Sequence, residues 1–600
     1  VRASCMALLL TGNVGAPGTG ANIFRGHDNV QGATDVGLDI VTLPFYYGLV
    51  EGAWRHWSRV WEVDYDWFVS RFDDKKIMET PGIPLTRWFD AATLPKDQVA
   101  QKDNVRAMFV QGHASNSITR IPASLDGLQK LELLVVADPH PTTWASLAVQ
   151  AGRKNDMYLL PVCTQFESSG SRVASNRSLQ WGEMVVKPSF EQKDDYQVMY
   201  LIAKKLGFAD KLFKNIKVEG DRPVPEDILR EMNRGSFSTG YCGQSPERLK
   251  AHMKNQAKFD LVTLRAPKDD PEVGGDYYGL PWPCWGKPEI KHPGSPLLYN
   301  THLHVMDGGG TFRARFGVER EGVSLLADKA YSLGSEIQDG YPEFTYAVLK
   351  KLGWDADLTP EELATIQKIG GEKADTVSWS IDLSGGIQRV ALKHGCSPFG
   401  NAKARMNAFG LPDPIPVHRE PIYTPRVDLV SKYPTLPDAR QFRLPNIGFT
   451  AQKAAVDKGI AKEFPLILSS GRLVEYEGGG EETRSNPWLA ELQQDMFIEI
   501  NPADAADRGV KDGGWVWVTG TESGKARMKA LVTERVGKGV AWMPFHFGGW
   551  FAGEDLRKNY PQGTDPIVLG ESANTITSYG YDPATGMQEP KVTLCQIRAA

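Results

Sequence analysis

Between Arg106 and about Val162 the apolar positions change period in a regular way. "AMFVQG" is an apolar run of strand length, and Ile118, Ile121, Leu125, Leu128 and Leu131 then recur at helical spacing. "LELLVVADPH" reads as a second strand, "TTWASLAVQ" as a helix opened by a threonine cap, and "MYLLPV" as a third strand. This βαβαβ succession predicts an α/β fold with a doubly wound parallel sheet. Ligands of such sheets sit beyond the carboxyl ends of the strands. Gln111, Gly112 and His113 follow the first strand, and Asp138, Pro139 and His140 follow the second.

From about 463 the texture changes. "FPLILSSGR", "MFIEINP", "WVWVTG", "ARMKALVTERV" and "GVAWMPF" are short alternating or β-rich runs joined by turns such as "DGG", with one helical piece at "ADAADRG". They predict a mostly β barrel domain. Between about 166 and 450 the pattern is poorer, and "GLPWPCWGKPEIKHPGSP" and "GLPDPIPVHREP" break it. Long connections wrapping a core are expected there, with helices around "DYQVMYLIAKKLG" and "YPEFTYAVLKKLG". At the start, "CMALLLT" is a short apolar segment that ends at Gly12, and Gly15, Pro17, Gly18 and Gly20 then impose an irregular loop.

Composition narrows the classes. The 600 residues allow three or four lobes. With 41% hydrophobic and 24% charged residues, and no uninterrupted apolar run near the ~20 residues of a membrane helix, any membrane contact is expected to come through a partner. The net charge of -5 argues against a general nucleic-acid binder. Cys5, Cys163, Cys242, Cys284, Cys396 and Cys595 are scattered, without the close pairing of a zinc or iron–sulfur site, so no metal cluster is expected in this chain. The opening "VRASCMALLL" reads like the middle of an element, and the chain is expected to be part of something longer.

Candidate chemistry gathers in loops. "NIFRGHDNVQGATD" places Arg25, His27, three amides and two acids where no apolar stripe organises them. The planar fork of Arg25 suits a small carboxylate, and it would equally pair with Asp28 or Asp35 to hold the loop. His27 could take a proton near neutral pH or serve as a structural hydrogen-bonding residue. Gly112 and Asp138 suit a nucleotide, the glycine admitting phosphate and the acid accepting guanine or ribose donors, although an Asp capping the next helix fits as well. Asn176 and Arg177 in "ESSGSRVASNRSLQW" carry no signal of their own. In "SSGRLVEYEGGGEETRSNP" the glycines would let backbone approach a ligand while Arg472 and Arg484 meet phosphate; a flexible hairpin is the plainer reading. His302 and His304 in "THLHVMDGGGTF" lack a third ligand at metal spacing.

Taken together, "LLLTGNVGAPGTGANIFRGHDNVQGATDVG", "FPLILSSGRLVEYEGGGEETRSNPWLAELQ", "FIEINPADAADRGVKDGGWVWV" and "ESANTITSYGYDPATGMQEPKV" resemble the catalytic alpha subunit of molybdenum- or tungsten-containing formate dehydrogenases, in the dimethyl sulfoxide reductase family. The first stretch is specific to formate dehydrogenases; the others mark the dinucleotide-binding end of the wider family. The resemblance implies two molybdopterin guanine dinucleotides holding one Mo or W ion. It implies that Arg25 holds formate, that His27 assists the proton or orients substrate, and that Gly26, Asn29 and Gln31 shape the same wall. Gly112, His113, Asp138, Thr142, Asn176 and Arg177 match stretches that contact one dinucleotide. Ser470, Arg472, Tyr476, Glu477, Arg484, His546, Asn574 and Lys591 fall in stretches that line the pterins. The implied divisions are 1–27, the end of a preceding α/β domain with the active-site loop; 28–165, the α/β dinucleotide-binding domain; 166–450, connections and insertions; and 451–600, the dinucleotide-binding β barrel.

The resemblance also implies what lies elsewhere. Family members carry upstream a four-cysteine cluster motif, holding a four-iron cluster, and a Cys or selenocysteine that ligates the metal; neither is in these 600 residues. The expected partners are formate and CO2, the N-terminal remainder of the subunit and an iron–sulfur beta subunit, the last suggested by "LPWPCWGKPEIKHPGSPLLYN" and "HREPIYTPR". A membrane cytochrome b subunit and a periplasmic location follow from the resemblance alone. Two rivals stand beside this reading: another oxyanion oxidoreductase of the family, which would not need the Arg-Gly-His trio, and a cofactor-free structural subunit like the large iron–sulfur subunit of respiratory NADH dehydrogenase, which predicts eroded cofactor loops.

Overall fold

The computed structural model describes residues 2–13, 20–21, 29–37, 39–174, 178–236, 243–261, 264–279, 343–394 and 415–580. It also describes 398, 413, 582, 586–589 and 591–600, and the backbone of two short paired strands at 319–320 and 323–324. These fall into two compact units, one of Val1–Glu79, Gln165–Lys187 and Tyr196–Ala408, the other of Thr80–Thr164, Pro188–Asp195 and Phe409–Ala600.

In the first unit the helix Glu51–Trp61 buries Ala53, Trp54, Trp57 and Val60, the spacing of one helical face. These join Phe45, Phe68, Val173, Leu179 and Trp181 in an aromatic-rich core, where Phe45 stacks on Trp57 at 5.8 Å. A second core under Phe344, Ile366, Trp379 and Val390 is built by the helices Tyr346–Leu352, Pro360–Gly370 and Gly386–Lys393. The region expected to be long connections thus contains more helix than its prolines suggested. Pro225, Pro246 and Pro360 each stand in the first turn of a helix, where the missing N–H costs nothing. The prolines start these helices. Likewise "CMALLLT" lies mostly within a helix, Arg2–Leu10.

The second unit holds the parallel sheet of β1 (Ala107–Gln111), β2 (Leu133–Asp138) and β3 (Met157–Pro161), paired in that order. The crossovers are α1 (Ile121–Lys130) and α2 (Thr143–Gln150), the latter capped by the Thr142 side chain as its sequence indicated. Two crossovers of the same hand stepping in the same direction put both helices on one face of the sheet. That face carries Val110, Leu134 and Val136, packed against Ile121, Leu128, Trp144 and Leu147. On the opposite face Phe109, Val135 and Tyr158 are in register, and Phe109 and Tyr158 are each 52% exposed.

The same unit contains a closed barrel of β4 (Leu466–Gly471), β5 (Phe497–Ile500), β6 (Trp515–Gly520), β7 (Lys525–Val532), β8 (Val540–Pro544) and β9 (Val592–Ala599). Around the barrel the order is β4-β8-β5-β7-β6-β9, closing back on β4. The pairs β4·β8 and β5·β7 are parallel and the other four antiparallel. Alternation along the strands sends Leu466, Leu468, Ile498, Ile500, Val516, Val518, Ala526, Met528 and Ile597 inward to one core.

Candidate functional site

The carboxyl ends of the parallel strands bring four of the expected residues together. Gly112 follows β1 with φ +58°, a conformation suited to glycine, and its N–H donates to the Ala137 carbonyl at 3.1 Å. Before it, Gln111 donates to Asp195 at 2.7 Å. The next residue, His113, accepts the Trp144 indole N–H on its carbonyl at 2.7 Å, and burial pushes its imidazole pKa down. Asp138 closes β2 almost buried, and desolvation followed by repulsion from Glu482 pushes its pKa up to about 7. Glu481 and Asp195 add to that repulsion. Thr142 spends its hydroxyl on the Trp144 N–H at 3.4 Å, and the Thr143 hydroxyl donates to Glu481.

The loops of the barrel hold the rest. Beyond β4, where Ser470 is buried, Arg472 is exposed and lies over the Phe545 ring at 5.3 Å; Lys591 approaches the same ring at 4.0 Å. Neither cation forms an ion pair with a described residue, and the Lys591 pKa is pushed down first by burial and then by Arg472. His546 is wholly buried between two loop segments. Its Nε2 accepts the Leu473 N–H at 3.0 Å, which leaves Nδ1 to donate to the Gly478 carbonyl at 2.7 Å. Burial, and then the cations of Arg472, Lys591 and Arg484, push its pKa down to about 4. A neutral imidazole in a fixed tautomer therefore pins the loop. Tyr476 is buried and donates its hydroxyl to the Gln493 carbonyl, while the Glu477 N–H donates to Thr483 at 3.2 Å.

Arg484, expected to meet phosphate, is enclosed by protein groups in this structure. Its side chain has no exposed surface; Nη1 donates to the Gly548 and Val568 carbonyls, both at 3.0 Å, and Nη2 lies 3.1 Å from Glu481. The guanidinium is turned into the protein and fastens the loop. The neighbouring glycines, expected to admit a ligand, meet protein as well. A Cβ on Gly480 would lie 2.1 Å from the His546 carbonyl oxygen, and one on Gly479 would lie 2.9 Å from the Ala114 Cβ. Asn574 is buried and donates to the Asn116 carbonyl at 2.7 Å.

In the other unit, Asn29 has φ +61° and accepts the Val173 N–H at 2.9 Å. Gln31 donates to the buried Asp35 at 2.8 Å, and Tyr46 donates to the same carboxylate at 2.6 Å. Arg25, Gly26, His27, Asn176 and Arg177 lie outside the described residues, as do His302 and His304. Among the described residues no group of three or more His, Cys, Asp or Glu is arranged to hold a metal, and no helix is long and apolar enough to cross a membrane.

Sequence reasoning missed Asn116, Glu522 and Gln588. Glu522 accepts from Arg120 at 2.8 Å and from Tyr423 at 3.1 Å; Gln588 donates to the Ser117 carbonyl at 2.6 Å and accepts the Thr119 N–H at 3.1 Å. Single polar residues in irregular loops leave no periodic signal. Of the stretches quoted above, "HREPIYTPR" holds Tyr423 and "ESANTITSYGYDPATGMQEPKV" holds Gln588, but neither pointed to these particular residues.

A parallel-sheet end and a closed barrel with cation-bearing loops in one unit define a class of fold, and comparison with known proteins gives the family. Residues 1–205 match the Molybdopterin oxidoreductase family and residues 466–594 match the Molydopterin dinucleotide binding domain. The chain belongs to the molybdopterin oxidoreductases. Within that family it is similar to the alpha subunit of formate dehydrogenase 2 (cytochrome c-553) of Nitratidesulfovibrio vulgaris, 26% identical over 100% of this chain and 58% of that protein. It is similar also to the formate dehydrogenase alpha subunit of Megalodesulfovibrio gigas, 24% identical over 100% of this chain and 59% of that protein. The alpha subunit of the F420-dependent formate dehydrogenase of Methanocaldococcus jannaschii is 27% identical over 91% of this chain and 51% of that protein. The chain thus spans between half and three-fifths of the length of these relatives. Among solved structures, acetylene hydratase from Pelobacter acetylenicus aligns with 86% of this chain and 46% of that one at 16% identity and a TM-score of 0.41, too distant for comparing sites.

Proposed function

We propose that this chain is the larger part of a formate dehydrogenase catalytic subunit, oxidising formate reversibly to carbon dioxide at a Mo or W ion held by two pterin guanine dinucleotides. The observation that carries the formate assignment is breadth of similarity. Three formate dehydrogenase alpha subunits match 91–100% of the chain, and the two that cover all of it span "NIFRGHDNVQGATD".

The donor chemistry of the described residues fits the cofactor. Asp138 is a buried carboxyl whose pKa is pushed up by burial first and by neighbouring acids second; the N1–H and exocyclic amine of guanine offer it two donors without adding charge. Arg472 and Lys591, flanking Phe545, suit the anionic diphosphate or pterin. Once bound, the metal–dithiolene group supplies the acceptor for two electrons, which no side chain here provides. Arg25 donates two parallel hydrogen bonds to the formate oxygens and so fixes the direction of the C–H bond, lowering the entropic part of the barrier to reaction. His27 takes up the proton released as formate becomes carbon dioxide, two electrons and a proton, and passes it toward solvent.

The electrons are proposed to leave through a four-iron cluster in a further segment of the subunit and then an iron–sulfur beta subunit, with attachment to a membrane cytochrome b subunit on the periplasmic side completing the proposal. In the complete subunit, Arg25→Ala is expected to cut turnover and formate affinity together with metal content unchanged; normal formate kinetics in that variant remove Arg25 from the site. Metal and pterin analysis with formate-dependent dye reduction tests the assignment as a whole, and the lack of formate-dependent reduction by a metal-loaded enzyme defeats it.

A further inference from the structure

We infer that Asn116 is a positioning residue that holds three barrel loops in the arrangement needed to grip the cofactor; this rests on the function proposed above. Asn116 follows β1 in the turn Ser115–Ser117 and has no exposed surface. Its Nδ2 donates to the Gly479 carbonyl at 2.7 Å and to the Phe547 carbonyl at 3.0 Å. Its own carbonyl accepts the Ser572 hydroxyl at 3.2 Å and the Asn574 amide at 2.7 Å. One residue thereby reaches the loop after β4, the loop after β8 and the segment before β9.

Those loops carry Arg472, Tyr476, His546 and Asn574. They are held at close range, since a Cβ on Gly479 would stand 3.0 Å from the Asn116 Oδ1 and 2.9 Å from the Ser117 hydroxyl. The chemistry demanded is narrow. Two carbonyls converge on one side-chain group, and only a planar NH2 on a stem of this length offers a hydrogen to each. Aspartate would bring an acceptor against two acceptors, and glutamine would add a methylene where there is no room. His546 joins two of the same loops by its ring, so Asn116 and His546 hold the Gly478–Gly479 segment from two sides.

The test uses the complete subunit purified with its cofactor, comparing Asn116→Asp, Asn116→Ala and the milder Asn116→Ser, which keeps one donor, with Tyr423→Phe. Tyr423→Phe removes a different hydrogen bond of this unit, to Glu522. Hydrogen exchange, pterin and metal content, and the electron paramagnetic resonance signature of the metal are read for each. For the Asn116 variants we expect exchange about tenfold faster in residues 473–485, 545–549 and 572–579 together, with the barrel strands unchanged. Pterin content should fall several-fold and the metal signature of the loaded fraction should shift, with Asn116→Ser intermediate. Tyr423→Phe should match the wild type in pterin content and signature.

Wild-type protection of the three loops in Asn116→Asp overturns the inference. So does loosening of the loops with pterin content and metal signature unchanged, which would leave Asn116 only structural. Wild-type protein that carries neither pterin nor metal overturns the proposed function and, with it, any role of Asn116 toward the cofactor; it is told apart from the previous failure because there the wild type carries both.

Discussion

Replacing Arg484 with methionine separates two roles for a residue that its sequence context presents as a phosphate ligand. The side chain is wholly enclosed, donates to two main-chain carbonyls at 3.0 Å and stands 3.1 Å from Glu481, itself 5% exposed. Methionine fills much of the volume but removes the cation. Two carbonyls then lose donors, and Glu481, whose pKa burial already pushes up, loses the charge that pulls it down. Breaking a buried pair from one side costs about 3–5 kcal/mol. At roughly 2–4 °C per kcal/mol for a domain of this size, the melting transition of the barrel unit should fall by about 6–20 °C. The sign of its pH dependence follows. An acid whose folded pKa is raised stabilises below its unfolded pKa and loses that contribution as pH rises, so the deficit of Arg484→Met should be larger at pH 8 than at pH 5. Adding Glu481→Gln removes the orphaned charge and should recover part of the loss. Calorimetry and circular dichroism melts on cofactor-free protein read all of this. A melting temperature within about 2 °C of wild type at both pH values would refute the reasoning and return Arg484 to the role of ligand.

Two further outcomes follow from the same unit. With the Asp138 pKa pushed up from 3.8 to about 7, the folded state holds a proton that the unfolded chain has released, so stability should decline as pH rises through that window. Asp138→Asn should flatten the decline and exceed wild type above pH 7 in melts of cofactor-free protein; parallel profiles would contradict the shift. Gly480→Ala puts a side chain at φ +79° with its Cβ 2.1 Å from the His546 carbonyl oxygen, whereas Gly509→Ala, at φ +62°, meets nothing within 4 Å. Urea titration should show Gly509→Ala losing about 1–2 kcal/mol from backbone strain alone and Gly480→Ala losing clearly more; equal losses would mean the loop yields freely.

The regular elements were legible where one periodicity dominated. β1 to β3 and the Thr142 cap follow from apolar runs and a single hydroxyl, and the barrel strands follow from alternation such as that of Val516 and Val518. The strand-end residues Gly112 and Asp138 were found because topology alone says where such ends lie. The loops were harder for a physical reason. "GGG" and Arg484 look alike whether they approach a ligand or other backbone, and only the Cβ clearances and carbonyl partners distinguish the two. Asn116 was invisible because its importance lies in partners more than 350 residues away in the chain. The helices begun by Pro225, Pro246 and Pro360 were not read because a proline ends one helix as readily as it starts another.

The one-sided sheet has a practical consequence for handling these 600 residues by themselves. Among the described residues Phe109 and Tyr158, each half exposed, flank the buried Val135 on the face away from α1 and α2, and parallel sheets are ordinarily covered on both faces. Such a face is sticky. Sulfate and similar salting-out ions strengthen apolar contact, so the isolated chain should self-associate more as they are added, whereas screening simple charge attraction would have the opposite effect. Its shelf life in concentrated solution is therefore set less by how firmly the barrel folds than by what comes to rest against that face.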